Sequence, residues 1–319
     1  MKDRKILYEL DLDSRQSFSQ LGRKIGLRKD LVAYRVKKLM ENKLIFNFYT
    51  YIDLSSLGYD ILRFYFKFQY TSVEMRKKII QEIVNMKCSL FVNSTDGEVE
   101  LSAYFAVKNI YEFQKIWDNF YREYGDYFAN ISFSIWCCNT MYSYSFLLDE
   151  DQAVRTDKKN VTIFGDSKKV DIDELDFQIL KNISTDSRIP SLDLAKKLNV
   201  TVNTVTSRIS HLQKNGIIKA YRLDIAFSGL DYKIYRLDIY LKNHKMRHKI
   251  NDFITDSPLI YSSYISLGDA ADLEYEIFLK NLNQLHQIIE SVTMKFPDCI
   301  KNYRYYTIIE KHKNTYIPD

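Results

Sequence analysis

One segment of this chain occurs twice, 173 positions apart. Asp13-Ser14-Arg15 returns as Asp186-Ser187-Arg188, and Leu21, Lys24, Val32, Arg35, Leu39, Asn42 and Ile45 return as Leu194, Lys197, Val205, Arg208, Leu212, Asn215 and Ile218 without a gap. The changes between are mostly size-conserving, as in Ile25 to Leu198 and Val36 to Ile209. A period this long is no solenoid unit, since those run to roughly 20–50 residues. It is a duplicated set of domains, and 319 residues have room for several with proper cores.

Hydrophobic residues make up 46% and charged residues 27%, the balance of a globular chain. The nine glycines and four prolines argue against long flexible loops. The net charge of +5 is unevenly spread. Residues 1–45 hold 12 Lys+Arg against 6 Asp+Glu, whereas residues 46–150 hold 9 against 13 and residues 220–319 hold 13 of each. A local positive field attracts polyanions, phosphate foremost. The competing reading is a solvated helical surface. Met1–Glu9 is polar, not a secretory segment, and no apolar run is long enough for a bilayer, so a cytoplasmic location without a membrane partner is expected. Cys88, Cys137, Cys138 and Cys299 form no CxxC pair, which points to reduced thiols and to neither metal nor cofactor.

Residues 6–45 predict three short helices. Ile6, Leu7 and Leu10 face inward on the first, Leu21 and Ile25 on a second capped by Ser17, and Val32, Val36 and Leu39 on a third starting near Arg28. The second copy repeats this with Ile179 and Leu180, then Leu194 and Leu198, then Val205, Ile209 and Leu212 behind Thr201. After each triplet the pattern alternates. Phe64, Phe66, Phe68 and Tyr70 alternate with Arg63, Tyr65, Lys67 and Gln69, and Leu237, Ile239 and Leu241 with Arg236, Asp238 and Tyr240. That predicts strands with one wet face. Continuing, each half reads β-α-β-β-α-β, a ferredoxin-like order. The expected division is a helix-turn-helix domain at 1–50, a ferredoxin-like domain at 51–148, a charged linker at 149–169, and a second pair of domains at 170–222 and 223–319. The fold class is α+β, with two winged helix-turn-helix and two ferredoxin-like domains in tandem. Tyr142, Tyr144 and Phe146 read as a strand face or as exposed aromatics for another interface.

The ordered set Asp176-Phe-Gln-Ile179-Leu180, Asp186-Ser-Arg188, Leu194-Ala195-Lys-Lys-Leu198-Asn-Val200, Val205-Thr-Ser-Arg208-Ile209 and Leu212-Gln-Lys-Asn-Gly216-Ile217-Ile218 resembles the leucine-responsive/AsnC (feast/famine) transcription regulators. The first copy resembles them more loosely, through Asp13-Ser-Arg15, Leu21-Gly22, Arg35-Val36 and Leu39. The resemblance implies a DNA-reading head and a sensing, oligomerising domain in each half. The partners it implies are double-stranded DNA, a small effector such as an amino acid, and a pairing partner. Here the two halves can pair as an internal pseudo-dimer, with further homo-oligomers left open. The family's effector turn, Gly-x-x-Asp, has imperfect counterparts in Asp96-Gly97 and in Gly268-Asp269 through Asp272.

A recognition helix presents its outward residues to base edges in the major groove while neighbours hold phosphates. In the second copy these are Thr201, Asn203, Thr206, Ser207 and Ser210. Asn203 can pair bidentately with adenine. Arg208 reaches either a phosphate or an acid such as Asp176, and Arg188 reads as structural. In the first copy the set is Arg28, Lys29, Asp30, Ala33, Tyr34 and Lys37, flanked by Arg35 and Lys38, and is basic on balance. The expectation is a division of labour, phosphate attraction by the first head and base discrimination by the second. The first copy departs from the family pattern where Arg28 replaces a capping hydroxyl and Lys43 the turn glycine. Two other functions stay open: a sirohaem-decarboxylase-like enzyme on the same scaffold, and an architectural DNA binder with little sequence preference. The five histidines are scattered and no catalytic set is apparent, which weighs against an enzyme.

Overall fold

Apolar side chains three and four apart draw each helical triplet around its own core. In the computed structural model, which describes residues 2–148, 155, 159–165 and 168–319, the first triplet is α1 (Lys2–Leu12), α2 (Phe18–Ile25) and α3 (Lys29–Glu41). The second is α6 (Glu174–Thr185), α7 (Ser191–Leu198) and α8 (Val202–Lys214). Ser17 and Gln20 form a reciprocal capping box at the start of α2, and Thr201 accepts the Thr204 amide at the start of α8. Each triplet leads into a strand, β1 (Ile45–Ile52) or β7 (Ile218–Ile225).

The remaining elements are β2 (Asp60–Phe68), α4 (Val73–Asn85), β3 (Ser89–Gly97), β4 (Leu101–Val107), α5 (Ile110–Tyr124) and β5 (Phe128–Tyr142) in the first half. The second half has β8 (Lys233–Leu241), α9 (Arg247–Thr255), β9 (Ile260–Gly268), β10 (Leu273–Leu279), α10 (Leu282–Lys295) and β11 (Ile300–Asn314). Between them lies β6 (Asn160–Phe164). That strand pairs with β5, so part of the expected linker is sheet; residues 149–154, 156–158, 166 and 167 of that span lie outside the described residues.

Each half keeps its β-α-β-β-α-β order, but neither sheet stands alone. Strand order runs β2-β4-β3-β11-β8-β10-β9-β5, and β2 pairs with β5, so the halves merge into one closed antiparallel barrel. The seams are β3 with β11 and β5 with β9. Closure leaves the ring without free edges, which removes the hazard of unpaired strand backbone.

Closure also changes what the wet faces meet. Phe64, Phe66 and Phe68 point outward beneath α4 and α5, and Leu237, Ile239 and Leu241 beneath α9 and α10. The alternate residues point into the barrel, where Arg63, Tyr65, Arg236 and Asp238 are buried rather than solvated. Arg63 and Arg236 are repeat counterparts, 173 apart, and are 0% and 2% exposed. Arg63 ion-pairs with Glu274, and its Nε donates to Ser134 Oγ at 3.2 Å. Arg236 lies 3.3 Å from Glu274 and 3.3 Å from Asp238, and Arg304 donates to Asp238 at 2.9 Å. The arginine of one half thus depends on an acid of the other.

Tyr142, Tyr144 and Phe146, read as a strand face or as exposed aromatics, are all buried, with Tyr142 at the end of β5; Tyr144 and Phe146 pack with Phe227 and Phe278 below the first triplet. His312 lies on β11 and bonds Ser94 at 2.7 Å, across the seam between the halves. Removing one member of a buried ion pair typically costs about 3–5 kcal/mol, because the survivor stays charged and unpartnered. Glu274→Leu is therefore expected to lower unfolding free energy by about that amount in urea titration. The double variant Arg63→Met/Glu274→Leu recovers much of the loss. A single-variant cost below about 1 kcal/mol contradicts the inter-half lock.

Candidate nucleic-acid interface

The two helical heads are joined at a pseudo-twofold axis. Strands β1 and β7 pair antiparallel, with Tyr49 opposite Arg222, its own counterpart in the repeat. Ser14 Oγ and Ser187 Oγ, also counterparts, are buried and 2.6 Å apart. The Ser14 amide donates to the Tyr221 carbonyl at 3.0 Å, and the Ser187 amide to the Phe48 carbonyl at 2.8 Å. Asp13 and Asp186 each accept the amide two residues on, at 2.9 Å. The duplicated Asp-Ser-Arg motif is therefore the hub of the dyad. Its arginines serve the hub as well: Arg188 donates to the Ser14 and Gln16 carbonyls, and Arg15 stacks over Tyr221.

The symmetry is broken at one buried pair. Arg222 holds Asp11 at 2.8 and 3.0 Å, and the Asp11 carboxylate also accepts the Tyr144 amide at 2.9 Å. Burial pushes the Asp11 carboxyl up to about 6 against the pull of Arg222. The counterparts of these two residues are Ser184 and Tyr49, so only the first triplet is tied to the barrel in this way.

Helices α3 and α8 bury Val32, Val36 and Leu39, and Val205, Ile209 and Leu212, as their spacing predicts. Opposite those stripes Arg28, Lys29, Tyr34, Lys37 and Lys38 are exposed on α3, and Thr201, Asn203, Thr206, Ser207 and Ser210 on or beside α8. The first surface is cationic and the second neutral and polar. The Thr206 hydroxyl is spent within its helix, donating to the Val202 and Asn203 carbonyls at 3.1 Å each. Lys37 lies 3.8 Å from Glu41, a loose exposed pair of little energetic weight.

Arg35 and Arg208 stand apart from these sets. Arg35 pairs with Asp3 at 2.8 Å; Arg208 pairs with Asp176 at 3.1 Å and with Asp173 at 2.6 Å. Asp3 and Asp176 are themselves counterparts, so the same ion pair pins the third helix to the first in each head. The pattern was legible: an acid early in the first helix and an arginine midway along the third recur together.

The effector-turn residues sit at the barrel seams. Gly97, at φ 136, faces Tyr306 so closely that a Cβ would lie 3.0 Å from that side chain. Gly268, at φ 96, would place one 2.9 Å from the Phe133 carbonyl oxygen. Both need glycine because backbone crosses backbone there. Asp96 is exposed beside Gly97. Asp269 accepts the Phe133 amide at 3.2 Å, and Asp272 accepts the Leu241 amide at 2.7 Å and lies 3.1 Å from His244. The carboxylates of Asp269 and Asp272 are thus engaged by the scaffold.

An AsnC-type helix-turn-helix domain matches residues 2–40, and a winged helix-turn-helix DNA-binding domain matches residues 172–219. The chain carries helix-turn-helix domains of the AsnC/Lrp family. Among similar proteins, the regulator LrpB of Bacillus subtilis is 27% identical over 147 residues, which is 45% of this chain and 95% of that one. The regulatory protein AsnC of Haemophilus influenzae is 28% identical over 123 residues, 37% of this chain and 79% of the other. Each such relative spans less than half of this chain. The siroheme decarboxylase NirDL shares the fold over the whole chain, with a TM-score of 0.65 at 13% identity, covering 100% of this chain and 94% of that one. At that identity the likeness is one of fold alone. Among the described residues no helix is long and apolar enough to cross a membrane.

The AsnC/Lrp heads differ in how their third helices begin and end. Arg28 caps α3 without a side-chain bond, whereas Thr201 caps α8. Lys43 holds φ 55, where its counterpart Gly216 holds φ 71. A left-handed lysine costs about 1–2 kcal/mol that glycine avoids. Lys43→Gly is expected to stabilise the chain by about 1 kcal/mol, and Arg28→Ser to add a cap bond of about 0.5–2 kcal/mol. Denaturant titration of each variant measures this. Unchanged midpoints for both would show that neither helix end is under strain.

Proposed function

We propose that this chain is a DNA-binding transcription regulator whose two unlike heads, held on an internal dyad, read one asymmetric site. The observation that carries this reading is the outward face of α8: Asn203, Ser207 and Ser210 lie free of the core, on a helix whose apolar stripe is fully used inside. Matched helix-turn-helix domains and the regulators among the relatives support it. Asn203 would read adenine, Ser207 and Ser210 neighbouring bases or phosphates, the Thr201 and Thr206 methyls thymine, and Arg28, Lys29, Lys37 and Lys38 the phosphates beside the first head, with Tyr34 packed on the DNA backbone. Arg35 and Arg208 act chiefly by holding these helices in place. The start of α3 adds free backbone amides and a helix dipole to the lysine charge.

The dyad gives one chain the equivalent of a dimer of half-length relatives. Heads set for successive major grooves would lie roughly 34 Å apart. The heads differ, so the preferred site is not a strict inverted repeat, and binding-site selection that returned one would contradict the reading. Lys29→Ala/Lys37→Ala is expected to lower the slope of log affinity against log salt by about two, near one per phosphate contact. Asn203→Ala should cost about 1–3 kcal/mol on the selected site and little on random DNA. An unchanged slope with the first variant overturns the phosphate contacts of the first head, and equal losses on both DNAs with the second overturn base reading by Asn203 and favour an architectural binder.

The reading extends to an effector such as an amino acid, held by backbone amides near Gly97 or Gly268. Thermal shift against the twenty amino acids is expected to show a rise in Tm for at least one of them, and none for any would remove the effector. An enzyme like the decarboxylase is the second reading, since that fold spans the whole chain. The neutral, polar outer face of α8 supports the regulator over it. A tetrapyrrole absorbance band on the purified protein would reverse that preference.

A further inference from the structure

Between the β1–β7 strand pair and the mouth of the barrel lies a cavity of about 120 Å³. Its walls are rich in rings, among them Tyr49, Tyr51, Trp136, Tyr264 and Tyr316. Tyr49 and Tyr316 stack at 4.3 Å with 3° between their planes, and Trp136 lies 5.1 Å from Tyr264. The Tyr49 and Tyr51 hydroxyls are paired with Tyr261, at 3.3 and 3.4 Å.

Two other polar atoms on the wall have no partner. The Trp136 indole Nε1 and the Asn139 Oδ1 are both buried and unbonded. Asn139 is 1% exposed, and its Nδ2 donates to Ser262 Oγ at 3.0 Å, which fixes the direction of the amide. Strict alternation would put positions 136 and 139 on opposite faces of β5. A bulge between Trp136 and Cys138 turns both to the cavity. Gly165 sits directly on this bulge: a Cβ there would fall 1.8 Å from the Cys137 carbonyl oxygen, so only glycine fits beside it.

A donor and an acceptor left without partners both destabilise a protein when buried. One water could serve both, but a volume of about 120 Å³ is far more than one water needs, and an apolar cavity of roughly 150 Å³ holds benzene. Each charge on the wall has an opposite charge near it, Glu276 with Arg236 at 3.7 Å and Asp224 with Lys311 at 3.8 Å, which favours a neutral occupant.

We propose that this cavity binds a neutral, planar aromatic molecule of one or two rings, which accepts a hydrogen bond from the Trp136 indole N–H and donates one to the Asn139 carbonyl oxygen. The site goes beyond the DNA-binding reading and does not rest on it. The test uses the full chain without DNA and benzimidazole at pH 8 as probe, a flat molecule with one N–H and one acceptor nitrogen. The chain has two tryptophans, so the Trp136 indole N–H signal is assigned by comparison with Trp117→Phe. Benzimidazole is expected to shift that signal saturably. Toluene, which fills space but offers neither group, is expected to bind at least about tenfold more weakly, the effect of one to two hydrogen bonds. Trp136→Phe and Asn139→Leu should each weaken benzimidazole by about fivefold or more by calorimetry. The wild-type measurement stands even where a variant fails to fold. No shift at millimolar benzimidazole, equal affinity for toluene, or undiminished binding to both folded variants overturns the proposal and leaves a water-filled void.

Discussion

A barrel closed from two half-sheets has one inside, and whatever the two halves carry on their inner faces must be satisfied there together. Arg63 and Arg236 occupy equivalent positions and both enter the lumen. The acids that hold them, Glu274 and Asp238, come from the second half alone; the first half has Leu101 and Tyr65 in their places. Duplication followed by divergence has therefore made the halves dependent on each other. A barrel closed from two first halves would bury Arg63 without its carboxylate, which is costly.

The heads inherit their geometry from the same axis. The Ser14–Ser187 contact and the crossed amide bonds to Tyr221 and Phe48 hold β1 against β7, so each triplet rests on strands from both halves. The first triplet is further anchored through Asp11 and Arg222, while the second has no such bond at Ser184. An asymmetric anchor beneath a symmetric hub gives the two third helices different mechanical support as well as different surfaces. Their chemistry follows suit, with lysine and arginine outward on α3, and hydroxyl and amide outward on α8. For a DNA reader this separates the non-specific, salt-dependent part of binding from the part that distinguishes bases.

Beneath the hub, the aromatic cavity sits where strand pair and barrel meet. Tyr49, Tyr51 and Asp224 line it from the strands that carry the heads, and Trp136, Asn139 and Tyr264 from the barrel. A molecule bound there would touch both bodies. Differential contact of that kind is what any coupling between a ligand and the heads requires.

How much of this could be read beforehand depends on the range of the interactions. The helices and their buried stripes were legible, because Val32, Val36 and Leu39 and their counterparts follow a local period. So were the missing cap at Arg28 and the strained turn at Lys43, since both are set by residues next in sequence. The alternation at Arg63–Tyr70 correctly marked a two-faced strand but not what its polar face meets. Water and a polar lumen impose the same pattern of residues, and only closure of the ring decides between them. Burial of Tyr142 and Tyr144, the crossing of β1 with β7, and the cavity between Trp136 and Asn139 were equally out of reach. Each depends on partners more than a hundred positions away, or on one extra residue in a strand, and no local periodicity records either. The sequence alone determined that two like units exist and that their outer helices differ in charge. The tertiary structure decided that the units share one interior, because their sheet edges found each other and left the buried charges no other partners.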